Sequence, residues 1–202
     1  MHHYVEMPVI RSYRATDRSD IYDVCLRTAA GGGDATGVYS NDDLMPDIFA
    51  LPYVDFEPEL AFVVDTGARA SGYVIATANT RDYVDRYHRE WLPRLAQKYR
   101  HVQPPLTAED EIVHLGFWPK RMLIPEVDEY PAHLHIDILP ELQGQGLGRK
   151  LIGTLVGALG ACGIRNLHLT MDPANTAARA FYNRLGFVEL PSSTPMAPVF
   201  GI

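Results

Sequence analysis

The segment LPELQGQGLGRKLIG, residues 139–153, sets Gly144, Gly146 and Gly148 where a strand pattern gives way to an apolar helix, and follows them with Arg149 and Lys150. Glycine removes the side chains that would keep a ligand off the main chain. Successive N–H groups can then close on an anion at the positive end of a helix dipole. Cations in a first helical turn are disfavoured by about 0.3–1 kcal/mol each, a penalty that a bound polyphosphate reverses. The chemistry implied is phosphate binding. Two familiar phosphate loops do not fit. A dinucleotide fingerprint needs glycine five residues after its first, where Gly144 meets Arg149 and Gly146 meets Leu151; a nucleoside-triphosphate loop needs Gly-Lys-Ser/Thr, and Gly148 is followed by Arg149, Lys150 and Leu151. What is present is Gln-x-x-Gly-x-Gly, from Gln143 to Gly148.

A second group with chemical potential lies just upstream. In AHLHIDIL, alternation puts His133, His135 and Asp137 on one face of a strand and Leu134, Ile136 and Ile138 on the other. Polar residues along one face of an inner strand are costly unless paired or functional. A bulge in this strand would reverse the parity, so the face that looks into a cleft stays open at this stage. Asp34, among the glycines of GGGDATG, would attract a cationic amine if its loop borders a site. Cys25 and Cys162 read as isolated thiols, and the eight histidines include no zincin-type pair, so no metal is expected.

The elements that must carry these residues alternate between strand and helix periods. VIRSYR and IYDVCLRTA read as a first strand and helix, and DDLMPDIFALPYV as a short helix interrupted by proline. ELAFVVD and ASGYVIATAN read as a hairpin joined by TGAR. Tyr83, Tyr87, Trp91, Leu95 and Tyr99 recur every four residues on one helical face, with Pro93 expected to kink or split the helix near Leu92. The stripe suits core packing, and Trp91 could also roof a pocket. Residues 101–131 read as a long excursion of the kind that serves as a functional loop. Then come AHLHIDIL, the glycine turn, an apolar helix ending at Gly163, the strand NLHLTM, the helix ANTAARAFYNRL and a final strand FVEL. A strand, turn, helix, strand sequence implies a right-handed crossover between parallel strands, so the fold is mixed α/β with an antiparallel front half.

With 202 residues the chain is expected to be a single domain. Its formal net charge of −7 argues against a nucleic-acid or anionic-membrane surface. No long apolar run is present and MHHYVEMPVI lacks the order of an export signal, so a cytoplasmic protein is expected. An exposed edge in a small sheet would suit a homodimer.

IDILPELQGQGLGRKLIGTL followed by NTAARAFYNRLGF resembles the acetyl-coenzyme A site of the GNAT superfamily of N-acetyltransferases. VCLRTAAGGGDATG, PELAFVVD, GYVIAT, REWLPRLAQKY and PAHLHIDILP resemble the C-terminal acetyltransferase-like domain of the eukaryotic O-GlcNAc hydrolase and its free-standing bacterial relatives. The first resemblance implies a GNAT fold, with a splayed parallel pair in a mostly antiparallel sheet flanked by helices. It also implies a cofactor diphosphate on Gln143, Gly144, Gln145, Gly146, Leu147, Gly148 and Arg149, a pantetheine arm beside Ile138 and Leu139, and Asn175 touching the same arm. In it Tyr182 matches the tyrosine that protonates the departing sulfur. Asp137, which the resembling domains also carry, is the expected base, with His135 next, and Asp34 and Trp91 are expected on the acceptor side. An alkyl ammonium of pKa about 10.4 is neutral about once in 2,500 molecules at pH 7, a penalty of about 4.6 kcal/mol that gives such a base its use. The function implied is acetyl transfer to an amine acceptor; the alternative is a non-catalytic acyl-coenzyme A binding or protein-interaction module.

Overall fold

The computed structural model describes residues 7–202; residues 1–6, which hold most of the segment read for an export signal, lie outside them. Strand β1 (Val9–Ser12) leads into α1 (Arg18–Leu26) through a tight turn. There the Arg11 guanidinium clamps Asp17 at 2.7 and 2.8 Å and Asp65 at 2.6 Å. The interrupted helix expected next is two helices, α2 (Leu44–Phe49) and α3 (Leu51–Phe56). Ala50 breaks them at φ −129°, and Pro52, lacking an N–H, can open a helix but not continue one. The hairpin of β2 (Ala61–Asp65) and β3 (Ala70–Thr77) closes as read, with Thr66 N–H donating to Arg69 O at 3.0 Å and Gly67 at φ 85°.

Helix α4 (Thr80–Arg86) continues through a π turn, Tyr87–Trp91, into α5 (Leu92–Lys98). Pro93 therefore leaves the helix unsplit, and the wide turn just before it accommodates the missing donor. The excursion at 101–131 has secondary structure of its own. It contains α6 (Ala108–Phe117), started by a reciprocal cap between Thr107 and Asp110 and by three acidic residues in its first turn.

Strand β4 (Ala132–Ile138), helix α7 (Leu147–Ala161), strand β5 (Leu167–Thr170) and helix α8 (Thr176–Arg184) follow in the expected order. The expected final strand is only β6 (Val188–Glu189), and β7 (Val199–Gly201) inserts between it and β5. The seven-stranded sheet runs β1-β2-β3-β4-β5-β7-β6. All its named pairings are antiparallel except β4 with β5, which gives the mixed α/β architecture.

One face of the sheet packs Tyr73 and Ile75 against Ile21, Tyr53, Tyr83 and Trp91; the other packs Val74 and Leu169 against Leu151 and Leu155 of α7. The aromatic stripe is thus core. Trp91 is 4% exposed, its indole N–H donates to Asp47 O at 2.7 Å, and it stands edge-on to Phe56. Truncating a buried aromatic costs about 3–5 kcal/mol. Trp91→Ala should therefore lower unfolding free energy by that amount in urea titrations, whereas a tryptophan acting only as a pocket roof would leave the midpoint nearly unchanged.

Candidate active site

The site begins where two strands part. Strand β4 pairs with β3 without a register shift from Thr77–His133 to Gly72–Ile138, but with β5 only at Ala132–Leu167 and His133–His168. The irregularity that could have reversed the face of β4 lies instead in β2, between Val63 and Asp65. Leu139 N–H donates to Ser71 O at 3.0 Å on the β3 side, so by alternation the main-chain groups of Ile136 and Ile138 point into the gap beside β5. A cavity of about 640 Å³ opens there, lined by Ile136, Asp137 and Ile138 on one side and by Asn175, Ala178, Phe181 and Tyr182 of the α8 segment on the other.

The glycine turn forms one end of this cavity. Gly144 and Gly146 take φ 75° and 76°, a left-handed conformation that other residues adopt only under strain, and a Cβ on either would project into open space. Gly146 caps α7 without any side-chain hydrogen bond. Among the described residues, the N–H groups from Gly144 to Arg149 find no acceptor, and the first bond of the helix is Lys150 N–H to Gly146 O at 3.2 Å. Six consecutive unpaired donors at a helix start suit a diphosphate. Gly148 lies so close to α8 that a Cβ would stand 3.0 Å from the Phe181 ring. Arg149 also lines the cavity, joined by Arg184 from α8, a residue that sequence reasoning did not single out.

The other expected cofactor residues divide. Gln143, Leu147, Ile138 and Asn175 line the cavity. The Gln143 amide donates to Ile138 O at 2.9 Å across the mouth of the gap, and Asn175 caps α8 by accepting from Ala178 N–H at 2.9 Å. Gln145 turns its amide back to Glu141 O, and Leu139 is buried beneath, with its N–H already committed to β3.

At the far end, β4 parity brings Asp137 to the meeting point of this cavity and a smaller one of about 250 Å³. Burial pushes its carboxyl up to about 6, opposed by a hydrogen bond from the Tyr73 hydroxyl at 2.7 Å. A carboxylate with a pKa near 6 is ionised at neutral pH and basic enough to take a proton. Tyr182 lines the larger cavity, packed against Phe181 and Phe187. Burial and the neighbouring Asp137 raise its phenol, so it stays protonated at neutral pH. His135 lines the smaller cavity, and burial lowers it to about 4, which makes it a neutral wall. His133 is committed elsewhere, 2.7 Å from both the Tyr53 and Thr80 hydroxyls.

Two acceptor-side expectations are corrected. Asp34 is exposed, folds back onto Thr36 at 2.5 and 2.8 Å, and lines neither cavity; Gly31 and Gly32 of the same loop line both. Trp91 lines neither, because its stripe faces the core. Cys25 of α1, Thr28 in the turn after it, and Met45 and Phe49 of α2 stand there instead. Alternation in β4 and the glycine loop at 31–37 were the sequence signals that led toward this pocket. Among the described residues, no three His, Cys, Asp or Glu side chains converge as metal ligands would, and no helix is long and apolar enough to cross a membrane.

Known proteins share this arrangement. Residues 36–187 match the acetyltransferase (GNAT) family. The [ribosomal protein bS18]-alanine N-acetyltransferase of Salmonella typhimurium is 32% identical over 93 residues, 46% of this chain and 59% of that protein. This chain thus spans less than two thirds of that relative's length. The solved structure of SsHAT is 48% identical, with a TM-score of 0.91 over 97% of this chain and 98% of that one. The yncA protein of Salmonella typhimurium, solved with its cofactor acetyl-CoA, is 15% identical, with a TM-score of 0.53 over 98% and 94%, a likeness of fold. Acetyltransferases of the matched family use acetyl-CoA, and the unpaired donors at Gly144–Arg149 fit its diphosphate. By a match that spans most of its length, the chain belongs to the acetyltransferase (GNAT) family.

Proposed function

We propose that this protein is an acetyl-CoA-dependent N-acetyltransferase acting on an amine acceptor by direct attack. The observation that carries the reading is one continuous cleft lined by the glycine cradle and by a half-buried carboxylate, Asp137, and a buried phenol, Tyr182. Bound acetyl-CoA would supply a thioester carbonyl as the electrophile. The turn from Gln143 to Arg149 holds its diphosphate, while the main chain of Ile136 and Ile138 and the segment at Asn175 border its amide-bearing arm as a strand edge does. The acceptor enters from the smaller cavity.

Asp137 takes one proton from the ammonium, leaving a neutral nitrogen to attack. As the N–C bond forms and the C–S bond breaks, the nitrogen loses a second proton to solvent and Tyr182 O–H supplies one to the sulfur. Tyr182 then regains a proton and Asp137 gives one up, by way of solvent, so that overall an ammonium and a thioester become an amide, a thiol and one released proton. Asp137 and Tyr182 divide the work because their surroundings hold one ionised and the other protonated at the same pH. Within the family we place the chain beside the C-terminal domain of the O-GlcNAc hydrolase, on the segments quoted above, as a single cytoplasmic domain.

The direct test is release of free thiol from acetyl-CoA with a library of amines; a protein that binds the cofactor and releases none in excess of background is the non-catalytic module instead. Gly148→Val would fill the cradle beside Phe181 and should weaken acetyl-CoA by at least about tenfold in calorimetry. Asp137→Asn should lower kcat by about 10²–10⁴. In the parent, kcat/KM should fall as pH drops through about 6, because the base must be ionised, and the variant should lose that limb. Folding raises this carboxyl, so its contribution to stability is full in acid and lost as pH rises through about 6. Asp137→Asn should accordingly melt no lower than the parent at pH 7.5, separating loss of turnover from loss of fold. Tyr182→Phe should reduce kcat by about 10² or more with acetyl-CoA affinity unchanged.

A further inference from the structure

The smaller cavity has a chemical character of its own. Its inner wall is Cys25, Ala29, Met45 and Phe49, with His135 adding a neutral ring 6.1 Å from the ring of Phe49. Burial and the nearby Arg121 keep His135 uncharged at neutral pH. Arg121 lies over the Phe49 ring, 5.4 Å from its centroid, but neither it nor any other arginine or lysine lines the cavity. The charged groups facing the space are two carboxylates: Asp137 at the floor, and Asp172 at the exposed rim.

Most polar groups of the wall are already engaged. Thr28 donates its hydroxyl to Val24 O at 2.7 Å, Asn175 caps α8, and Asp172 accepts from Ala174 N–H at 2.8 Å. A ligand rich in hydroxyls would bury several without partners, at about 1–3 kcal/mol each. A ligand bearing a carboxylate would meet two like charges and no cation. A volume of about 250 Å³ falls below the range of about 300–1,000 Å³ typical of drug-sized sites, so the occupant is small. What the wall does offer is flat and polarizable surface: a thioether, a phenyl ring and a neutral imidazole, all favourable against an aromatic body.

We propose that the acceptor is an aralkylamine, a primary amine on a short aromatic body, which seats its ring among Met45, Phe49 and His135 and presents its nitrogen to Asp137. This deepens the acetyl-transfer reading above and rests on it. Phe49 is the specificity-determining residue of the pocket, standing on α2 away from the cofactor cradle.

The test compares phenethylamine with putrescine, glucosamine, glycine and a peptide with a free N-terminal alanine, using thiol release from acetyl-CoA by the full chain. Phenethylamine should show a kcat/KM at least about tenfold above each of the others, and Phe49→Ala should raise its KM about tenfold or more with the KM for acetyl-CoA unchanged. Equal or better use of any other acceptor overturns the proposal. Calorimetric titration of phenethylamine into the protein, with and without coenzyme A, separates this idea from the reaction itself. Binding that weakens in Phe49→Ala supports the pocket even where no thiol is released, and absence of heat in both titrations overturns it. Phe49→Leu, which keeps an apolar side chain there, serves if the alanine variant does not fold, and the same weakening is required of it.

Discussion

Two parallel strands that stop pairing after two residue pairs create everything the site uses. Had β4 and β5 stayed in register beyond His133 and His168, the main chain of Ile136 and Ile138 would be consumed by the sheet and there would be no cleft. Because they part, a strand edge is left in the middle of a sheet, with main-chain groups that no neighbouring strand pairs; Ile138 O is met by the Gln143 amide instead. The same parting carries the α8 segment away from β4, which sets Asn175 and Tyr182 across the gap from Asp137. The glycine turn then lies at one end of an opening that the strands have already made.

Burial of a few polar groups gives the cleft its chemistry. Asp137 faces the layer of α1 to α3, where it is half-buried, and the Tyr73 hydroxyl offsets part of the loss of solvation. That balance leaves its pKa close to neutrality, where a base combines availability with strength. The same burial acts on Tyr182 in the opposite functional sense, keeping the phenol protonated. His135, on the same face of β4, loses its charge for the same reason and becomes part of an apolar wall. One strand thus presents an ionised and a neutral group two residues apart, because desolvation disfavours whichever form is charged, with an outcome set by each group's starting pKa and its hydrogen bonds.

The glycine turn and the helix it starts could be read from the chain because their determinants are local. Gly144, Gly146 and Gly148 lie within a few residues of one another, and their conformational freedom and the helix they start are short-range properties. Asn175 and Tyr182 share one helix segment, so their relation also follows from spacing along it. The acceptor side was read less well. Asp34 drew attention as a charge, yet Gly31 and Gly32 reach the cleft while Asp34 satisfies itself locally through Thr36. Trp91 belongs to a stripe whose period is clear but whose partner surface, the core beside Phe56, is distant in sequence.

By itself, the sequence determined the strand–turn–helix order, the glycine turn, the two faces of β4 and the stripe of core aromatics, all of which rest on periodicity or on the conformational range of single residues. Only the tertiary structure decided which face of β4 looks into the cleft, since that depends on an unbroken register with β3, a strand some sixty residues away. It also decided that β7 enters the sheet between β5 and β6, and that Met45 and Phe49 stand opposite Asp137. A side chain's surroundings are made by segments far along the chain, and no local pattern records which of them will meet.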